Sequence, residues 1–566
     1  MTQKKAWWKE AVGYQIYPAS FMDSNGDGIG DLNGIREKLP YLKKLGIDFI
    51  WINPVYSSPF IDNGYDISDY QNLLEKFGTM TEFDQLLAEA HLQGIKIIMD
   101  LVINHTSDQH EWFIESKKSL DNPYRDYYIW LDGTPENAPN DWQSIFGGSA
   151  WAYDEQTKQY YLHVFAKEQP DLNWESEKLK NELFSMIRWW LDKGIDGFRL
   201  DAISHVKKDE YSVKATENPF SPFQNVSGID EHLNELKDVF DDYDIMTVGE
   251  ASGVSAEEGP EWVGADGYFD MIFEFDHISI WKHEKEGKLD VINLKRALSA
   301  WQTALDGKGW NALYMENHDT PRSVSVFGDP EHYWQKSAKA VAMMYFFLQG
   351  TPFIYQGQEI GMTNIPFTAI EQIDAVDSRR LYNQLLEEGK SPEEAIDIVA
   401  DTTRDNSRTP MQWGSEKYAG FSTNEPWLMV NPNYHTLNVE EQENDPSSIL
   451  SFYKQMIRIR RENQGLIYGS FKEYLAEHDQ LYVYERSFTD KNYLIMVNLM
   501  SEVAEYSLPN EVDLPWELLL TNQEERVFER VGKLDPYEAK LFVNSKKKKL
   551  KKVCLELSNK VQGKLF

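Results

Sequence analysis

Four short stretches place acidic groups beside His or Arg where they could do chemistry. MDLVINHTSD presents Asp100, Asn104 and His105; GFRLDAISH presents Arg199 and Asp201; TVGEASG presents Glu250; YMENHDTPR presents His318 and Asp319. Each follows an apolar, β-rich run, so each sits at the C-terminal end of a candidate strand. A lone carboxylate there is ordinarily a helix cap or a solvated loop residue, and Asp100 alone would serve as a brace. Three carboxylates converging on one mouth, Asp201, Glu250 and Asp319, flanked by His and Arg, suit acid/base and nucleophilic work on a glycosidic bond.

The elements that must position them alternate through the first two-thirds of the chain. Candidate strands are VGYQIYP, FIWINPVY (49–56), IKIIMDLVIN (95–104), IDGFRLDA (195–202), IMTVGEA (245–251), YFDMIFEF (268–275), NALYMEN (311–317) and FIYQGQE (353–359). Their near-continuous apolar character fits strands buried on both faces, as in a parallel sheet. Helical patterns such as MTEFDQLLAEAHLQG and LKNELFSMIRWWLDKG lie between them and close on Gly. Eight such units predict an α/β fold, a (β/α)8 TIM barrel, whose catalytic groups come from strand C-termini. Residues 105–174 break the rhythm and read as a subdomain inserted after the third strand. The barrel is then expected over 1–104 and 175–465. Short alternating strands (FKEYLA, QLYVYERSF, NYLIMVNLM, AEYSL, AKLFV) predict an antiparallel β-domain over 466–545, and 546–566 reads as a basic, solvated tail.

Composition narrows the function classes. A chain of 566 residues with net charge −35 repels nucleic acid and anionic membranes, so neither is an expected partner. Its 18 Trp, 30 Tyr and 28 Phe suit both a large core and flat platforms for sugar faces. The single Cys554 excludes an intramolecular disulfide framework. With no apolar run near the roughly 20 residues of a membrane span, and no signal-like N-terminus, a cytoplasmic monomer is expected.

One further stretch, DSNGDGIGDL (23–32), reads like a calcium loop. Asp23, Asn25 and Asp27 take positions one, three and five, Gly28 the turn, the Ile29 carbonyl position seven and Asp31 position nine. Position twelve, where an EF-hand needs a bidentate Glu, is Gly34, and a strand rather than a helix precedes the loop. An oxygen-rich cation site is expected, but not an EF-hand.

IKIIMDLVINHTSDQH, GFRLDAISH, VGEAS and ENHDTPR resemble the four motif regions of glycoside hydrolase family 13, the α-amylase family. QPDLNW (169–174) and RDNSRTPMQW (404–413) resemble its oligo-1,6-glucosidase and α-glucosidase branch. The resemblance implies that Asp201 is the nucleophile, Glu250 the general acid and then base, and Asp319 the residue that holds sugar hydroxyls in the transition state. Arg199, two residues before Asp201, is expected to keep that carboxylate ionised, and the surroundings of Glu250 to keep its proton on. His105 and His318 are expected to donate to glucose hydroxyls. Asp66 and Arg404 resemble the pair that closes the blind end of the terminal-glucose subsite, with Arg408 competing for that place. Phe146, Phe165 and Gln169 are expected to wall the same pocket, and His205 to touch the aglycone. Relatives carry a loop like 23–32 around a structural calcium, which makes Asp23, Asn25, Asp27, Ile29 and Asp31 its implied ligands, with magnesium as the alternative.

Linkage preference rests on Ala202, where relatives that cleave α-1,6 bonds commonly carry Val. The smaller side chain, with GEASG in place of GEMPG, predicts an exo-acting α-1,4-glucosidase on maltose and short maltooligosaccharides, with transglucosylation as a second outcome. The alternatives are an oligo-1,6-glucosidase on isomaltose or panose, and a trehalose-6-phosphate hydrolase using Lys207 and Lys208. Sucrose isomerase fits less well, because no Arg-rich loop follows ENHDTPR. A non-catalytic carbohydrate-binding or transporter-associated relative is the reading from another class; the complete carboxylate set argues against it.

Overall fold

The computed structural model describes residues 6–280, 289–512 and 515–545; the basic segment 546–566, with Cys554, lies outside the described residues. Eight parallel strands form the central sheet: β1 Gly13–Ile16, β2 Phe49–Ile52, β3 Lys96–Val102, β4 Gly197–Asp201, β5 Met246–Glu250, β6 Met271–Phe273, β7 Ala312–Leu313 and β8 Thr351–Tyr355. Neighbours follow chain order from β1 to β6, and β8 pairs with both β1 and β7, so the sheet curls into a nearly closed (β/α)8 barrel. The open seam lies between β6 and β7. Side chains bridge it: Tyr314 Oη donates to the Glu274 carbonyl at 2.6 Å, and His277 Nε2 lies 2.8 Å from the Tyr314 carbonyl. All eight expected strands form. The seventh is the shortest, because backbone beyond Leu313 turns to side-chain partners, with Asn317 N donating to Thr320 Oγ1.

The period of two along each strand sorts the side chains. Leu101 of β3 and Leu200 of β4 face the surrounding helices, whereas Phe49, Trp51, Ile98, Val248, Phe273 and Phe353 fill the barrel. Phe273 and Phe353 pack edge-on with ring centroids 4.8 Å apart. Each such side chain contributes roughly 1.5–3 kcal/mol by leaving water. Gly13 on β1 is required by this layer, since a Cβ there would lie 2.3 Å from the Phe49 ring. Above the apolar layer the same alternation delivers Asp100, Arg199, Asp201 and Glu250 to the C-terminal mouth; Asp100 and Arg199 are register partners.

The helices outside carry clear start and stop signals. α1 (Leu32–Leu45) is capped by Asp31, which accepts from Gly34 N, and ends on Gly46 at φ 105°. α2 (Met80–Leu92) opens with a capping box between Thr79 and Glu82, and α3 (Glu177–Lys193) ends on Gly194 at φ 104°. α4 (Ile229–Phe240), α5 (Val291–Leu305), α6 (Trp334–Phe346) and, further on, Ile449–Glu462 continue the outer layer. After β3, strands Trp130–Asp132, Gln159–Leu162 and Trp151–Asp154 form a small antiparallel sheet. It packs around Trp142 and Trp151, and Phe223 from the loop after β4 joins that cluster. Residues 470–545 add a five-stranded antiparallel sheet with a two-stranded one beside it. A helical segment after β8 was not apparent from the sequence: α7 (Val376–Glu387) and α8 (Pro392–Thr402) close on their own cluster around Ile373, Leu385 and Ile396. The Ser391–Glu394 capping box and Pro392 at its first turn are the signals that mark it.

Candidate active site

Arg199 is the centre of the mouth. Its Nη1 lies 2.6 Å from Asp201 Oδ1 and 2.9 Å from Asp100 Oδ1, and its Nη2 lies 2.7 Å from Glu250 Oε1. Glu250 Oε2 accepts from Ala202 N at 2.8 Å. That bond depends on Ala202 taking a left-handed conformation, φ 45° and ψ 33°, directly after Asp201. Strain of this kind at a non-glycine residue costs of order 1–3 kcal/mol and clusters at functional sites. Asp201 and Glu250 keep 11% and 16% of their side-chain surface open and Asp319 keeps 36%, so all three reach the same opening.

Three carboxylates around one guanidinium carry excess negative charge. Burial pushes the Asp201 carboxyl well above its ordinary value; Arg199 opposes this, while Glu250 and Asp100 add to it. Arg199 acts on Asp201 in the expected direction, but its charge is divided among three partners. Glu250 receives two donors, Arg199 and Ala202 N.

Asp319 is held differently. Burial alone would raise its carboxyl, yet His318, Arg404 and Arg408 together bring it well below the usual carboxylate range. Arg404 Nη1 and Arg408 Nη2 both reach Asp319 Oδ1, at 3.0 and 2.8 Å. His318 stacks on Tyr65, ring centroids 5.2 Å apart, and its Nδ1 lies 2.9 Å from Gln15 Nε2.

The blind end differs from expectation. Arg404 pairs with Asp62 at 2.8 Å and Asp377 at 2.9 Å, not with Asp66. Asp66 is fully buried, and its oxygens accept from Ser58 Oγ, Ile61 N and Asp62 N, so it folds the loop instead of facing the pocket. Phe60 and Asn63, at φ 69° and 49°, turn the chain so that Asp62 points to Arg404. Arg408 shares the site, donating to Asn63 Oδ1 at 2.7 Å and to the His318 carbonyl at 2.8 Å. Sequence reasoning missed Asp62, Tyr65 and Asp377; the third comes from α7.

The walls gather as expected in part. Gln169 Nε2 donates to Asp62 Oδ2 at 3.0 Å, and Phe146 stands edge-on to Phe165 and 5.2 Å from the Arg404 guanidinium. Phe165 also stacks on His205. His105 Nε2 lies 3.0 Å from the Tyr65 carbonyl and Nδ1 lies 3.1 Å from Asn104 Nδ2, so a sugar hydroxyl has to share or displace a bond already made. Burial, with Lys208 and His105 nearby, brings His205 down to about 3, which leaves it neutral at physiological pH.

Lys208 ties these walls together. Only 4% of its side chain is exposed; its Nζ reaches Asp171 Oδ2 at 2.7 Å, Asn104 Oδ1 at 2.8 Å and the His205 carbonyl. Asp171 is fully buried. Lys208→Met strands that charge and is expected to cost about 3–5 kcal/mol in urea unfolding, with Asp171→Asn in the same chain recovering most of it. A loss below about 1 kcal/mol would show that the clamp contributes little.

The loop at 23–32 lies at the rim, docked on residues 421–427. Asp23, Asn25 and Asp27 each accept the N–H two residues on, at 3.0, 2.8 and 2.9 Å. Asp23 accepts three further bonds, from Gly26 N, Gly28 N and Ser422 Oγ, and Asp31 accepts from Ser24 and Gly34. Gly28 is needed at φ 89°, where a Cβ would sit 2.2 Å from the Glu425 carbonyl. Among the described residues no group of three or more His, Cys, Asp or Glu is arranged to hold a metal.

A barrel mouth with a carboxylate pair on one guanidinium, and a third carboxylate fixed by two arginines, defines a glycoside hydrolase. Residues 15–469 match the alpha-amylase catalytic domain, and the chain belongs to that family. It is 52% identical to the probable oligo-1,6-glucosidase 3 of Bacillus subtilis (strain 168), over 95% of this chain and all of that protein. It is 44% identical to an oligo-1,6-glucosidase of Parageobacillus thermoglucosidasius, over 95% of this chain and 99% of that one. The solved trehalose-6-phosphate hydrolase of Bacillus licheniformis superposes with a TM-score of 0.91 at 42% identity, covering 95% of this chain and 100% of that one. The chain is a glycoside hydrolase of the α-glucosidase kind. Among the described residues no helix is long and apolar enough to cross a membrane.

Proposed function

We propose that this α-glucosidase is exo-acting and retaining, and releases α-glucose from the non-reducing end of short α-1,6-linked oligosaccharides such as isomaltose. The observation that carries the exo character is the Asp62–Arg404–Asp377 chain behind Asp319: an ion-paired wall leaves no path for further sugar units. Asp201 attacks the anomeric carbon while Glu250 protonates the glycosidic oxygen. A water activated by Glu250 then releases the sugar with its configuration kept. A single guanidinium bridging both carboxylates supports the close pairing that direct attack requires over the wider spacing that admits a water. Asp319, ionised to low pH, accepts from sugar hydroxyls as charge builds on the ring.

The linkage reading moves from α-1,4 to α-1,6. Two relatives at 52% and 44% identity are named oligo-1,6-glucosidases, a broader likeness than one side chain. Ala202 is 4% exposed and its backbone serves Glu250, so its size does not report on the aglycone alone. Trehalose 6-phosphate is disfavoured, because Lys208 is spent on Asp171 and Lys207 pairs with Glu175 at 2.5 Å. Isomaltose, maltose, sucrose and trehalose 6-phosphate offered separately should yield glucose fastest from isomaltose. Faster release from maltose would restore the α-1,4 reading.

The rim loop is proposed to hold a structural divalent cation, calcium by its preference for many oxygen ligands, through Asp23, Asn25, Asp27, the Ile29 carbonyl and Asp31. The support is their alternation and the side-chain turns that order them; Asp27 uses only one carboxylate oxygen. Chelation should lower Tm by several degrees, restored by calcium, with kcat unchanged. An unchanged Tm would assign the loop to its turns and Ser422 alone.

A further inference from the structure

A feature that the catalytic mouth does not use lies at the other end of the barrel. A cleft of about 650 Å³ opens between the N-terminal ends of β5, β6 and β7 and the segment that precedes β1. That volume suits a small ligand. Its charge is unusual for this protein: in a chain of net charge −35, three lysines face two aspartates there.

Two of those lysines make no ion pair among the described residues. Lys9 Nζ stands 5.1 Å from the ring centroids of both Trp8 and Trp310, and its half-buried ammonium is pushed downward by burial. Lys308 is exposed at the rim. The third, Lys237, is neutralised by Asp241 at 2.9 Å. Acceptors line the same cleft. Asp270 receives both the N–H and the hydroxyl of Thr247 through Oδ2, and Gln349 Oε1 is buried with no hydrogen-bond partner. Burial pushes the Asp270 carboxyl up to about 6, and both Thr247 bonds fall on Oδ2 rather than Oδ1.

We propose that this cleft is a second binding site, separate from the catalytic pocket, for a small phosphorylated sugar. Lys9 and Lys308 take the phosphate, which supplies the charge that the indole pair cannot. Asp270 and Gln349 accept from sugar hydroxyls, the donors that their unfilled lone pairs lack. A neutral sugar leaves the lysines unpaired, and bare phosphate leaves the acceptors unfilled, so each alone binds more weakly.

Calorimetry on the full chain tests this, with the catalytic pocket saturated by 1-deoxynojirimycin. Glucose 6-phosphate should bind with one saturable site, at least about tenfold tighter than inorganic phosphate, and glucose should give no heat. Lys9→Gln and Lys308→Gln should each weaken that binding about tenfold or more while leaving kcat/KM on isomaltose unchanged. No saturable heat from glucose 6-phosphate, or binding that survives both substitutions, would overturn the site. Inorganic phosphate binding as tightly as the sugar phosphate would overturn the sugar half of the claim.

Discussion

Asp201→Asn is expected to lower kcat by about 10⁴-fold or more while leaving Tm unchanged or raised. The loss follows because Asp201 supplies the attacking oxygen in the proposed mechanism. The stability result follows from the sign of the perturbation. Burial, Glu250 and Asp100 raise the Asp201 carboxyl above its unfolded value, so its ionisation works against the folded state as pH rises. An amide removes that penalty and still accepts from Arg199. The same sign predicts the pH profile. The acidic limb of kcat/KM should lie above the ordinary aspartate value of about 3.9. Glu250→Gln, by removing a like charge, should move that limb downward for substrates whose leaving group needs no protonation. A large fall in Tm for Asp201→Asn would assign the residue a structural role instead.

Arg404→Ala is expected to cost about 10²–10³-fold in kcat/KM, the scale of removing a preorganised partner of the reacting site. Three carboxylates depend on this guanidinium: Asp62 at 6% side-chain exposure, and Asp319 and Asp377 at 36% each. Leaving Asp62 buried without its cation should destabilise the fold by about 3 kcal/mol, below the full cost of a wholly buried pair because water screens the other two. Arg408 keeps its own contact with Asp319, so the pocket should lose order at Asp62 and Asp377 first. The relative rate on longer oligosaccharides should therefore rise as the rate on isomaltose falls. Retention of the chain-length preference in Arg404→Ala would show that the ion-paired wall does not set the exo character.

Much of this was legible in the chain because parallel strands announce themselves. Near-continuous apolar runs place residues two apart on one face, so Arg199 and Asp201 had to share the mouth, and Glu250 and Asp319 follow from the same rule on β5 and beyond β7. The blind end was not legible. Asp62 and Asp66 lie four residues apart in one acidic loop, and only left-handed turns at Phe60 and Asn63 decide which faces Arg404. Asp377 reaches the site from a helical segment whose periodicity is ordinary, and nothing in its local sequence marks it. A motif shows which groups are neighbours, not that Arg199 divides its charge among Asp100, Asp201 and Glu250. The proposed linkage rests on the broad likeness to proteins named oligo-1,6-glucosidases rather than on the single residue at 202.

The covalent step is the centre of this account, and it can be caught directly. The protein incubated with 5-fluoro-α-glucosyl fluoride, quenched in acid and digested, should yield one glycosylated peptide by mass spectrometry, modified at Asp201. A glycosyl group on any other residue, or none on an enzyme that turns over the reagent, would contradict it.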